Sequence, residues 1–190
     1  MLHLITSFIS LFLAFASNYG SSYILSHLNL SQQPANDFLL LNVPRLPFMG
    51  YIADSILIIT TIILFYSFRH NFTKISFSIY SISVILFIRS FLVLLTPINN
   101  SYGMFEYSDL FSFGSYPSGM FPSGHTAFVF LCYLLLKKSK LYSKILFLLL
   151  VLEIIALISS HGHYSIDIIG GLMLSYIVFR LGQDLQNKAK

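Results

Sequence analysis

The chain has 190 residues, 56% hydrophobic and only 9% Asp, Glu, Lys or Arg, where a soluble domain carries roughly 25% charged residues. With a mean hydropathy of +0.77, this excludes an ordinary soluble enzyme and a disordered tail. The net charge of +4 is spread thinly over 11 basic and 7 acidic residues, which argues against a nucleic-acid binder and leaves a single integral membrane domain spanning 1–190.

Six segments approach the roughly 20 apolar residues a spanning helix needs. In chain order they cover about 4–26, 51–68, 75–96, 123–138, 143–161 and 164–182. The expected fold is an all-α membrane protein with six transmembrane helices. The first segment has a rival reading, because Ala14-Phe15-Ala16 resembles the small-residue cleavage site of a signal peptide. Met1-Leu2-His3 supplies no Lys or Arg for such a peptide, so a retained helix is the preferred reading. The fourth segment is short, and Lys137 and Lys138 can snorkel at its end.

Two connections are long. Residues 27–50 contain Pro34, Pro44 and Pro47, and residues 97–122 are rich in Tyr, Phe, Gly and Ser. Connections of that length are commonly functional. Asn29 and Asn99 lie in glycosylation sequons within them. Cys132 is the sole cysteine, so no internal disulfide or Cys-based metal site can form.

Basic residues set the orientation. Arg69, Lys74, Lys137, Lys138, Lys140, Lys144, Arg180, Lys188 and Lys190 all fall on one side of a six-span arrangement. The opposite loops hold only Arg45. Both termini are therefore expected in the cytoplasm. The long loops then face the periplasm, lumen or exterior.

Polar residues gather at that outer end. Pro122-Ser123-Gly124-His125-Thr126 opens the fourth segment. Ser123 suits an N-cap, and Gly124 lets a ligand approach the backbone. The free N–H groups of a helix start bind phosphate oxygens, and His125 stands in that turn, placed to move a proton. A capped helix with an interfacial histidine is the plainer reading of this motif alone.

His161-Gly162-His163-Tyr164-Ser165-Ile166-Asp167 joins the last two segments. His163 and Asp167 are four apart and share a helix face. Asp167 can hold one ring nitrogen of His163 and leave the other as a nucleophile. His161 is six residues before Asp167 and off that face. An interfacial polar pair is the plainer reading here. A zinc site ranks well below, for want of ligands.

Arg89 lies about 10 Å, and Glu153 about 12 Å, inside the outer ends of their helices at 1.5 Å per residue. Charges at such depth are expected to pair or to share a polar cavity. Arg89 then reads equally as a phosphate clamp or as half of a structural ion pair with Glu153.

Pro122-Ser123-Gly124-His125 followed, one helix later, by His163-x-x-x-Asp167 resembles the type 2 phosphatidic acid phosphatase superfamily. Ser123-Gly124-His125-Thr126 with His161-x-His163-Tyr164-Ser165-Ile166-Asp167 is most similar to its sphingomyelin synthase branch. The resemblance spans roughly 89–182. It implies that His163 forms a phosphohistidine, that Asp167 orients it, and that His125 is the general acid and then the base. It also implies a phosphate contact from Arg89. From their place at the helix start Ser123 and Gly124 are further phosphate-binding candidates, and Glu153 and His161 are candidate supporting residues. No cofactor or metal is implied.

The chain departs from both branches. Ala156-Leu157 stands where the lipid phosphatases carry Ser-Arg. Gly162 replaces an acidic residue of the synthases, and Ser118-Gly119 replaces their Gly-Asp. Pro122 follows the phosphatases. The expected activity is lipid phosphotransfer from a phospholipid to ceramide or diacylglycerol. The alternative is a phosphatase acting on phosphatidic acid or a polyprenyl (di)phosphate. A small transporter is the rival from another class. Expected partners are membrane lipids, and an oligomer is compatible with this reading.

Overall fold

The structure, a computed structural model, describes residues 2–28, 35–98 and 120–188. Both sequons, and Ser118-Gly119, lie outside the described residues. Within them the chain forms helices α1 (Leu2–His27), α2 (Phe38–Asn42), α3 (Met49–Phe68), α4 (Phe72–Leu95), α5 (Gly124–Leu136), α6 (Lys140–Ser159) and α7 (Ser165–Lys188).

Local chemistry sets several of the boundaries. Asp37 caps α2 by accepting from the Leu39 and Leu40 N–H groups. Asn71 caps α4 through the Lys74 N–H, and Ser123 caps α5 through the Thr126 N–H. The end of α6 is a Schellman turn. The His161 N–H donates to the Ile158 carbonyl and the Gly162 N–H to the Leu157 carbonyl. His161 itself takes the left-handed position, at φ 59°, which costs a non-glycine residue about 1 kcal/mol.

Helices α1, α3, α4, α6 and α7 are long and apolar enough to cross a membrane. These account for five of the six expected spans, and the fourth, expected to be short, is helix α5. Helix α5 has 13 residues, about 20 Å at 1.5 Å per residue, against a hydrocarbon core of about 30 Å. The Ser123 cap fixes its start, and the Lys137-Lys138 turn ends it. The 27–50 connection also holds an element that the apolar pattern did not single out, the five-residue α2.

Helix α5 is the most enclosed element. Ala127, Val129, Leu131 and Cys132 have no exposed surface. It packs against α3, α4, α6 and α7. The contact with α7 is close: a Cβ on Gly171 would fall 2.6 Å from the Ser123 carbonyl oxygen. The Ser175 hydroxyl donates across the same contact to the Ala127 carbonyl at 2.6 Å. Helix α1 lies along α4, joined by a Ser17–Ser90 hydroxyl pair at 2.8 Å and a Thr6–Tyr80 pair. Small and hydroxylated residues at helix contacts are what a membrane interior favours, since lipid supplies no hydrophobic drive between helices. Phe12, Phe87, Phe147 and Leu148 point outward, as lipid-facing side chains would.

Candidate active site

The start of α5 is held from three sides. Pro122 and Ser123 are buried ahead of it. The Ser123 N–H donates to the Asp167 backbone carbonyl at 2.9 Å, tying α5 to α7. Arg89 on α4 donates from Nε to the Pro122 carbonyl at 2.9 Å and from Nη1 to Asn18 Oδ1 on α1. The guanidinium lies against Gly124, where an added Cβ would come 3.4 Å from Arg89 Nε. A methyl there would just reach contact with the arginine, and a longer side chain would compete with it for space. The Gly124 and His125 N–H groups belong to the first turn and have no intrahelical acceptor.

His125 projects from that turn with its side chain 22% exposed. Its Nε2 is 3.3 Å from Asp54 Oδ1 on α3. The carboxylate can only accept, so it selects the Nε2–H form of a neutral ring. That leaves Nδ1 as the site of proton gain and loss.

The α6–α7 turn supplies the second histidine. His163 is buried, and its Nδ1 is 3.3 Å from Asp167 Oδ2. The same carboxylate oxygen accepts the Tyr164 N–H at 2.9 Å. Asp167 is therefore oriented by backbone as well as by the imidazole. Its acceptance from Nδ1–H leaves Nε2 of His163 with a lone pair. Burial pushes the His163 pKa below its ordinary value of 6.5. The Asp167 hydrogen bond and charge oppose that shift, and His125 and Arg89 reinforce it.

The two histidines meet edge to face, with ring centroids 6.0 Å apart. The structure thus brings together His125, His163, Asp167, Ser123, Gly124 and Arg89. It does not pair Arg89 with Glu153, and that expectation is corrected. Arg89 bonds to Pro122 and Asn18, whereas neither carboxylate oxygen of buried Glu153 has a hydrogen-bond partner among the described residues. The reason is topological: α4 packs chiefly on α1, while α6 packs on α3 and α5. His161 turns away from Asp167, and its Nε2–H donates to the Val43 carbonyl at 2.9 Å.

Sequence reasoning missed two carboxylates. Asp54 could have been found, because an acidic residue inside an apolar span is itself a signal. Asp37 gave no such signal, since its partner Ser165 is 128 residues away.

Residues 120–184 match the family model described as PAP2 superfamily C-terminal. The matched segment contains α5, α6 and the first twenty residues of α7. It includes Ser123, His125, His163 and Asp167, and it supports the type 2 phosphatidic acid phosphatase superfamily. No curated protein matches the chain.

Proposed function

We propose that this chain is a membrane lipid phosphotransferase resembling sphingomyelin synthase, which moves a phospho-headgroup from a phospholipid to ceramide or diacylglycerol. The observation that carries the reading is the pair of histidines, 6.0 Å apart, each held by its own carboxylate. The family match supports a phosphatase or phosphotransferase in general terms. The proposed catalytic residues are His125, His163 and Asp167.

Chemistry follows from the free nitrogens. Nε2 of His163 attacks phosphorus, forming an N–P bond as the P–O bond to the lipid breaks. The leaving alkoxide takes a proton from His125. Asp167 offsets the positive charge that develops on His163. In the second step the acceptor hydroxyl attacks phosphorus, gives its proton to His125 and releases His163. Charge on the phosphate oxygens is met by the N–H groups that open α5 and by Arg89. No step calls for a metal or cofactor.

Orientation belongs to the same proposal. Arg69, Lys137 and Lys138 lie in the turns α3–α4 and α5–α6, and Lys74, Lys140 and Lys144 in the helix starts that follow them, at the opposite ends of these helices from the histidines. The basic end is then cytoplasmic. With the short α5 completing the crossing as a sixth span, both termini are cytoplasmic and the site faces outward.

A phosphatase acting on phosphatidic acid or a polyprenyl (di)phosphate is the second reading. Pro122 favours it, since it gives the start of α5 the Pro-Ser-Gly-His form. The two differ only in whether water or a lipid alcohol attacks the second time. The test uses purified protein with phosphatidylcholine or phosphatidylethanolamine as donor and fluorescent ceramide or diacylglycerol as acceptor. Phosphatidic acid and a polyprenyl diphosphate are assayed in parallel. A new fluorescent lipid that is lost in His163→Ala establishes the transferase. Free phosphate from either without headgroup transfer selects the phosphatase. No turnover of any of these lipids rejects both.

A further inference from the structure

The α6–α7 turn carries the proposed nucleophile, and a segment from far away in sequence is laced to it. The Ala35 N–H donates to the Tyr164 hydroxyl at 3.0 Å. Asp37 Oδ2 accepts the Ser165 N–H at 2.7 Å, and Oδ1 accepts the Ser165 hydroxyl at 2.9 Å. Val43 accepts from His161, and the Leu46 N–H donates to the Ser159 carbonyl at 2.7 Å. Leu40 packs beside Tyr164 and Met120 in a buried cluster. Residues 35–46 thus bind residues 159–165 at four levels, bracketing His163.

Asp37 is the charged member of this lacing. One carboxylate caps two helices at once: Oδ1 takes the Leu39 and Leu40 N–H groups of α2, while Ser165 opens α7. A carboxylate also suits the positive end of the α7 dipole. Asp167 lies two residues beyond Ser165, so the clamp sets the first turn on which Asp167 meets His163. Burial alone would raise the Asp37 pKa. The Ser165 backbone and hydroxyl bonds, with those from Leu40 and Leu39, outweigh it and hold the carboxyl below its ordinary value.

We infer that Asp37 is a positioning residue for His163, clamping the first turn of α7 and keeping the His163–Asp167 pair buried and aligned. The inference rests on the proposed role of His163. It assigns to the connection between α1 and α3 a part in the chemistry of residues more than 120 positions away.

Its signature is a pH shift as well as a rate. His163 is faced by Asp167 from α7, His125 from α5 and Arg89 from α4. Asp54 from α3 reaches it through His125, and His161 on the same turn is bound to Val43. Releasing the clamp lets water reach the ring while loosening the Asp167 contact; burial is the larger influence on the ring, so its pKa moves back up toward 6.5 and the acid limb of turnover moves to higher pH.

The test is made on the full chain in lipid nanodiscs, with the donors and acceptors named above. Asp37→Ala is expected to lower kcat about ten-fold with KM within about two-fold. Its acid limb should move to higher pH, and Asp37→Glu should restore part of both. A kcat within two-fold of wild type, or an unmoved acid limb, overturns the inference. If Asp37→Ala does not fold, the near-isosteric Asp37→Asn is read by the same criteria. Wild-type protein inactive on every lipid would reject the proposed function instead. The clamp is then read by hydrogen exchange. Faster exchange of the Tyr164–Asp167 amides in Asp37→Asn supports it, and unchanged exchange overturns it.

Discussion

His125 Nε2 and Asp54 Oδ1 stand 3.3 Å apart, joining the first turn of α5 to the second turn of α3 across 71 residues of sequence. The carboxylate holds the ring in one orientation. Asp54→Asn keeps the shape and removes the charge. Turnover should fall, by less than the roughly 10²–10⁴-fold expected for His125→Ala. Turnover equal to wild type would separate Asp54 from the proton-transfer step.

In the proposed mechanism His163 attacks as the neutral ring. Burial lowers its pKa below 6.5, so kcat/KM should rise as pH rises through that depressed value and level off by about pH 6.5. Asp167 opposes the depression. Asp167→Asn should therefore move the acid limb to still lower pH while turnover falls. Stability follows the same sign. Between the depressed pKa and 6.5 the unfolded chain binds more protons, so stability rises with pH in that window and is flat above it. Titration of kcat/KM and of the thermal midpoint in the two proteins checks both statements.

Gly171→Ala tests the seam between α5 and α7. The new methyl would meet backbone, 2.6 Å from the Ser123 carbonyl oxygen and 3.2 Å from the Ala127 nitrogen. Backbone at a capped helix start cannot yield cheaply, and overpacking of this kind costs about 1–3 kcal/mol. The thermal midpoint in detergent should drop by several degrees, and activity should drop with it because Ser123 is displaced. A midpoint equal to wild type would mean that the two helices can separate freely.

Arg89→Lys is not a conservative change here. The guanidinium bridges the Pro122 carbonyl and Asn18 with a planar, forked donor set, which an ammonium cannot reproduce. Turnover is expected to fall about ten-fold, and vanadate, a phosphate mimic, should inhibit more weakly. Asn18→Leu should give a milder form of the same defect, because it removes only one anchor. Wild-type vanadate inhibition in Arg89→Lys would remove Arg89 from the phosphate site.

Much of the molecule was legible in residue order. A scarcity of charge and long apolar runs specify membrane helices, because backbone polar groups in lipid must be satisfied within each segment. The His163–Asp167 pair was legible from its spacing of four, although His163 stands in the turn before α7 and meets Asp167 across the helix start rather than along a helix face. The N-cap at Ser123 was legible because capping is local chemistry. Five of the six expected spans match helices of sufficient length, and the sixth is short because its cap and its terminal lysine turn are only 13 helical residues apart.

The remainder was decided by tertiary packing. Which carboxylate meets His125 depends on α3 lying beside α5. Arg89 fails to reach Glu153 because their helices pack on different neighbours. His161 is drawn to Val43 because it occupies the left-handed end of a Schellman turn. Asp37 reaches Ser165 only because the 35–46 segment folds back over the α6–α7 turn. A sequence states which groups need partners. Partners within one helical turn are set by local periodicity, and distant ones only by how whole helices pack.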